Sequence, residues 1–284
     1  MSTWVWVDGE VGPAADARVG ALDHGLTVGD GVFETCKVVG DTPFALTRHL
    51  ARLRRSAAVI GLDLPWGDSR VRSACARAVG AALVDPENAE TGIARLRITV
   101  TAGPGPLGSD RGAVAPTLVV AAGPGDRWPA TTDVVTVDWV RNERSAVAGA
   151  KTTSYAENVV ALAEAHRQGA SEAILANTVG ALAEGTGSNV FLAVDGRLCT
   201  PSPATGALAG ITRALVCEQV DVTERDDLTL DDLRRAPEAF LTSSTRDIHP
   251  IARVDGTLLR CAPGPLTTAA AEAFAALQVR SLDP

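Results

Sequence analysis

The chain has 284 residues, a formal net charge of −8 and a pI near 5.1, with 46% hydrophobic and 21% charged residues. Its size leaves two domains or one large α/β domain open, and its composition is that of an ordinary globular protein rather than a disordered or fibrous one. The acidic balance argues against nucleic acid, whose phosphate backbone binds basic surfaces, and favours a small-molecule substrate.

Along the chain, Trp4 to Val7 reads as a strand, too short and too uncharged for a signal peptide. Val32 to Val39 is rich in strand formers. After Pro43, Leu50, Leu53, Ala57 and Ile60 recur at helical spacing until Gly61 stops them. Asp68 is placed to cap a second helix carrying Val71, Cys75, Val79 and Ala82 on one face. A strand from Ile93 to Thr101 puts Ala94, Leu96, Ile98 and Val100 on one side and Arg95, Arg97 and Thr99 on the other. A glycine and proline loop covers 103–112, and Thr117 to Ala122 forms another strand. The run Gly123-Pro124-Gly125-Asp126-Arg127-Trp128-Pro129 is the best linker candidate. It divides the chain into an N-terminal α/β domain over 1–122, a linker over 123–130 and a C-terminal domain over 131–284. Beyond the cut come a strand at Val134 to Val140, a helix from Thr153 to Gln168, and short strands at Ala173 to Leu175 and Val190 to Val194. Asp195-Gly196 signals a hairpin, a helix opens near Ile211, a strand covers Ala239 to Thr242, and an Ala-rich helix spans Pro265 to Arg280.

Cys36, Cys75, Cys199, Cys217 and Cys261 are scattered, without C-x-x-C spacing, which points to a reducing compartment rather than a disulfide framework. No stretch reaches the ~20 apolar residues of a membrane span, so no membrane partner and a cytoplasmic location are expected. His24, His49, His166 and His249 lack metal-ligand spacing, so no metal is expected.

Only Lys37 and Lys151 are lysines, against 24 arginines, and Lys151 stands four positions before Tyr155, the one tyrosine. A primary amine can form a Schiff base with a carbonyl, and a guanidinium cannot. Lys151 begins the run K-T-T-S-Y-A-E-N, and further on Glu184-Gly185-Thr186-Gly187-Ser188-Asn189-Val190-Phe191 sets a carboxylate before a glycine-rich turn into a strand. Taken singly, Glu184 could be a solvated loop carboxylate, Arg48 a surface helix charge, and the glycines plain turn residues. Neither a Walker loop nor a G-x-S-x-G elbow is present.

Taken together and in order, these segments resemble the fold-type IV pyridoxal-phosphate enzymes, the class IV aminotransferase family. The resemblance extends to Gly29-Asp30-Gly31-Val32-Phe33-Glu34, to Arg48-His49-Leu50-Ala51-Arg52-Leu53, to Leu208-Ala209-Gly210-Ile211-Thr212-Arg213 and to Phe240-Leu241-Thr242-Ser243-Ser244-Thr245-Arg246. It implies a two-domain α/β (α+β) fold, a small N-terminal α/β domain and a larger C-terminal domain with a pseudo-barrel of strands flanked by helices. It also implies pyridoxal 5′-phosphate as cofactor, an active site between the domains, and a homodimer. By resemblance Lys151 is the catalytic amine and Tyr155 its phenolic partner. Arg48, Glu184, Ser188, Asn189, Ile211, Thr212 and Ser244 hold the cofactor. Phe33, Thr35, Arg95, Arg97, Arg111 and Thr245 face substrate. The chemistry fits these residue types: a carboxylate keeps a pyridine nitrogen protonated, and a guanidinium with the amides of a helix start binds phosphate.

The family contains branched-chain and D-amino acid aminotransferases and 4-amino-4-deoxychorismate lyases, which share fold and cofactor. By resemblance, Arg95 stands where branched-chain aminotransferases hold a carboxylate arginine, which favours an amino acid substrate, and Ala102 stands where the D-amino acid type carries an arginine. Thr35 replaces a glycine common in the branched-chain group, while the Arg111-Gly112 pair and Ser244 with Arg246 look more like the lyases. The lyase, releasing pyruvate to give 4-aminobenzoate for folate synthesis, is therefore the leading expectation, with an aminotransferase as the alternative. A non-enzymatic binding protein would have no use for amine, phenol and carboxylate together, and a cofactor-free lysine aldolase would leave the phosphate-type segments unexplained.

Overall fold

The computed structural model describes residues 2–88, 94–113, 115–125 and 127–284. The chain forms two compact units, the first from 1–126, 150–155 and 281–284, the second from 127–149 and 156–280. The chain therefore crosses between units in several places. The segment carrying Lys151, and the stretch from Ser281 to Pro284, count with the first unit and not with a C-terminal domain over 131–284.

The first unit is built on a six-stranded antiparallel sheet. Its strands are β1 (Trp4–Val7), β2 (Glu10–Pro13), β3 (Gly31–Val39), β4 (Thr42–Pro43), β5 (Arg95–Thr101) and β6 (Thr117–Gly123), in the order β2-β1-β6-β5-β3-β4. The expected start of β5 at Ile93 lies outside the described residues. A short helix α1 (His24–Thr27) precedes β3, and α2 (Leu46–Val59) and α3 (Asp68–Leu83) cover one face. Alternation decides what meets what: Leu96, Ile98 and Val100 of β5 are buried with Leu50, Leu53, Ala57, Val71, Cys75 and Val79. The other face carries Phe33, Thr35 and Lys37 of β3, in register with Thr99, Arg97 and Arg95 of β5.

Helix α2 has no local cap. Ala45 before it is left-handed, with φ 54°, and no side chain of its own caps the helix. The cap comes from far along the chain: Asp283 accepts hydrogen bonds from Thr47 N at 2.8 Å and Thr47 Oγ1 at 2.5 Å, while Ala45 N donates to Leu282 O at 2.7 Å.

The second unit holds β7 (Thr132–Arg141), α4 (Ala156–Arg167), β8 (Glu172–Asn177), β9 (Leu182–Gly185), β10 (Asn189–Val194) and β11 (Arg197–Pro201). After these come α5 (Ile211–Gln219), β12 (Thr223–Arg225), α6 (Leu230–Arg235), β13 (Ala239–Ser243), β14 (Asp247–Val254), β15 (Thr257–Leu258) and α7 (Pro265–Arg280). The nine strands make a mixed sheet in the order β12-β11-β10-β13-β14-β7-β8-β9, with β15 on β14. The end strand β9 returns against β10 and β11, so the sheet curls on itself. Its interior is filled by Val134, Ile174, Leu182, Val190, Leu192, Leu241 and Ile251, and α4 seals another face through Ala161 and Ala165 against Val135 and Ala173. Among the described residues no helix is long and apolar enough to cross a membrane, and no cluster of His, Cys, Asp or Glu could hold a metal.

Candidate active site

Lys151 is held by main-chain bonds to the start of β3. Phe33 N donates to Lys151 O at 3.0 Å, Thr153 N donates to Gly31 O at 2.8 Å, and Val32 bridges Thr152. Lys151 N donates to the buried Ser56 Oγ of α2 at 3.0 Å. So anchored, the side chain sends Nζ to 3.2 Å from Tyr155 Oη and 4.3 Å from the centroid of the Phe33 ring. Phe33 meets Tyr155 edge-on, with centroids 5.2 Å apart.

Arg97 lies over the same Phe33 ring, its Cζ 3.7 Å from the centroid, and its Nε donates to Thr99 Oγ1 at 3.2 Å. Its surface stays accessible from solvent, yet the protein packed around it pushes the guanidinium below its ordinary value, Tyr155 opposing and Arg95 adding to the shift. No carboxylate pairs with it among the described residues. Arg95 sits one register step further along β5, opposite Lys37, and Thr35 stands opposite Arg97.

Two other arginines are placed differently from what their motifs suggest. Arg48 Nε donates to Pro284 O at 2.8 Å. One turn on, Arg52 is buried and forms a fork with Glu34, Nε to Oε1 and Nη2 to Oε2, both at 2.7 Å, while His49 Nδ1 lies 2.6 Å from Glu34 Oε2. Burial opposes its charge, but the Glu34 carboxylate, through charge and hydrogen bonding, raises the Arg52 pKa above its ordinary value. The sequence reading missed Arg52. The available signal was the helical arc, which puts Arg52 beside Leu53 and Ser56 on the buried face. Arg111 is also engaged: Nε and Nη2 bind Asp30 at 2.6 and 2.7 Å, and Nη1 and Nη2 donate to the carbonyls of Gly61 and Ile60. It fastens the 103–112 loop instead of presenting a free cation.

In the second unit Glu184, next to last in β9, holds its carboxylate between fixed partners. Oε1 is 3.2 Å from Arg141 Nε, and Oε2 accepts from Leu208 N at 2.8 Å and from Asn189 Nδ2 at 3.4 Å. Asn189 Nδ2 also donates to Leu208 O at 2.8 Å. Gly210, just before Ile211 and Thr212 of α5, leaves the room Asn189 occupies, since a Cβ there would stand 1.9 Å from Asn189 Oδ1. Strand pairing sets Asn189 opposite Thr242, so the turn holding Ser244 and Thr245 leaves the sheet next to the start of β10. Thr242 Oγ1 is buried with no hydrogen-bond partner, an orphan hydroxyl beside this corner. Ser188 Oγ, close to Gly185, is likewise buried with no hydrogen-bond partner among the described residues. Arg141 carries no sequence signal, because the Glu184 it pairs with lies two strands away in the sheet.

The first unit carries an amine hydrogen-bonded to a phenol, and the second a fixed carboxylate, a helix start after a glycine and a hydroxyl-rich turn; these are groups that pyridoxal phosphate asks for, so the residues of each unit fit that cofactor. The model of the amino-transferase class IV family matches residues 31–254. A putative branched-chain-amino-acid aminotransferase of Methanocaldococcus jannaschii is 32% identical over 264 residues, 90% of this chain and 89% of its own length. A D-alanine aminotransferase of Bacillus licheniformis is 33% identical over 273 residues, 93% of each. Among solved structures, the branched-chain aminotransferase of Thermoproteus uzoniensis with norvaline superposes with a TM-score of 0.85 at 29% identity, covering 97% of this chain and 94% of that one. A hypothetical aminotransferase from Mycobacterium tuberculosis in its PLP-bound form gives 0.83 at 30%, covering 98% and 99%. The chain belongs to the class IV aminotransferases, fold-type IV enzymes that depend on pyridoxal phosphate.

Proposed function

We propose that the protein is an aminotransferase, moving an amino group between an amino acid and a 2-oxo acid. The observation that carries this is Lys151 Nζ at 3.2 Å from Tyr155 Oη with the accessible guanidinium of Arg97 across the Phe33 ring. The lyase reading, first choice from sequence, loses its support. Its two arginine cues have structural uses, Arg111 on Asp30 and Arg246 on Glu172, and the two relatives reported above are named as aminotransferases.

When bound, pyridoxal phosphate supplies an electron sink for the carbon that bears the substrate's amine. Lys151 Nζ takes the proton from that carbon, and Tyr155 Oη keeps the amine in reach. Arg97 receives the substrate carboxylate as a fork, with Phe33 and Thr35 beside it. Glu184, paired with Arg141, holds the proton at the ring nitrogen. Asn189, Ile211, Thr212 and Ser244 receive the phosphate, and Arg52 takes the anion-binding role read for Arg48. Arg95 and Thr245 are assigned to the substrate side as well.

The test is turnover. Purified protein supplied with L- or D-amino acids and 2-oxoglutarate or pyruvate should form the new amino acid. Release of pyruvate and 4-aminobenzoate from aminodeoxychorismate, without transfer, would restore the lyase. We propose a homodimer as well, supported by the exposed Leu22, Leu26 and Val28 around α1, and sedimentation at a monomer's mass would refute it. Five free thiols support a reducing compartment such as the cytoplasm.

A further inference from the structure

The turn after β13 carries Arg246, which none of the roles above uses as a ligand. We propose that Arg246 and Glu172 form a buried clamp that positions the cofactor's phosphate corner, Arg246 acting as a positioning residue. The inference rests on the pyridoxal-phosphate reading of this unit.

Arg246 Nη2 lies 2.9 Å from Glu172 Oε2, and both side chains are nearly inaccessible, 7% and 3% exposed. The guanidinium is stacked on Trp128, Cζ 3.8 Å from the ring centroid. Nη1 donates to Ser171 Oγ and Nη2 to Ser171 O, both at 3.2 Å, and His249 Nδ1 lies 3.4 Å from Nη1. The main chain at the same residue closes the turn, Arg246 N donating to Ser243 Oγ at 3.2 Å. Arg246 thus fixes both ends of the turn that contains Ser244.

Glu172 does the same for the neighbouring turn. Its Oε1 accepts from Gly187 N at 2.9 Å and from Thr186 Oγ1. Gly185 allows the close approach, since a Cβ there would come within 2.5 Å of Ser188 Oγ and 3.1 Å of Glu172 Cγ. Thr186 N is further tied to Ala173 O at 3.0 Å. The two turns are already joined by the pairing of Asn189 with Thr242. One ion pair therefore spans the Thr186–Gly187 turn leading into Asn189 and the turn presenting Ser244. Neither Arg246 nor Glu172 needs to touch the ligand to set where the donors point.

A clamp on the phosphate corner has a signature that plain loss of stability lacks: it discriminates cofactor with phosphate from cofactor without. Apoenzyme of wild type, Arg246→Met and Glu172→Gln is titrated with pyridoxal phosphate and with pyridoxal, following the visible band of the bound cofactor. Far-UV circular dichroism confirms folding. Met keeps apolar contact with Trp128 but removes the ion pair. We expect each variant to lose about 10- to 100-fold in affinity for pyridoxal phosphate, with pyridoxal affinity changed less than about threefold. Arg246→Lys should recover part of the difference and keeps the test open if the Met variant does not fold. Equal losses for both ligands, or unchanged pyridoxal phosphate affinity, would overturn the clamp. Wild-type protein that binds neither ligand would overturn the cofactor reading itself, a distinct result.

Discussion

Strand alternation sends Glu34 into an apolar core, where a carboxylate persists only with partners. Burial raises its pKa, but Arg52, through charge and hydrogen bonding, and then His49 outweigh it and bring the value from 4.5 down to about 2. A carboxylate accepts only, so Nδ1 of His49 carries the shared hydrogen. Since the folded value lies below the unfolded one, the stabilisation is complete above pH 4.5 and is lost as pH falls toward 2. Its size is on the order of 3 kcal/mol. Glu34→Gln leaves Arg52 buried without its counter-charge and should cost about 3–5 kcal/mol in chemical denaturation at neutral pH. A loss below about 1 kcal/mol would show that the pair is dispensable. His49 titrates in the opposite setting: burial pushes it below 6.5, so acid below that value favours the unfolded chain, and His49→Asn should flatten the stability curve there. For Arg97, loss of a substrate carboxylate contact should raise KM about 10- to 100-fold in Arg97→Met, read by steady-state kinetics on the best amino acid. Lys151 and Tyr155 were legible because each is scarce and their spacing is short. Arg52 was not, because its neighbour Arg48 belongs to the same motif and only burial separates them.

At the scale of elements, most of the long helices and strands declared themselves by period: α7 runs over Pro265–Arg280, as the Ala-rich pattern predicts, and α2 begins after Pro43 and stops before Gly61. Helix α4 begins at Ala156 rather than Thr153, because residues 151–153 are taken up in pairing with β3. The short strands β2, β9, β12 and β15 carry too few residues for alternation to register. The cap of α2 was equally hidden, since Asp283 is 236 positions from Thr47. Asp283→Ala should cost about 1 kcal/mol, the usual worth of a helix cap, with the loss measured in urea. Gly210→Ala is a steric test, for its φ of −65° suits any residue but its Cβ would displace Asn189. It should weaken cofactor binding with a stability loss of about 1–3 kcal/mol. Cofactor affinity equal to wild type would remove Asn189 from the site.

For the whole molecule, a linker of glycine and proline invites a simple division near residue 126, yet the first unit also needs 150–155 and 281–284. Those pieces are flagged by no glycine-rich linker, which is why the sequence suggests one cut where the chain makes several crossings. A fragment of residues 1–126 would lack the Lys151–Thr153 pairing on β3 and the Asp283 cap, and should melt well below the full chain or be degraded in limited proteolysis. A fragment as resistant as the intact protein would show these contacts to be ornamental.

The distant cap on α2 also orders events in time. During synthesis the helix and its flanking strands leave the ribosome early, at about 5–20 residues per second, while the carboxylate that anchors the helix start emerges some 236 residues later. The first unit thus stays one anchor short until a segment 236 positions downstream of Thr47 has emerged, and its consolidation waits on Asp283.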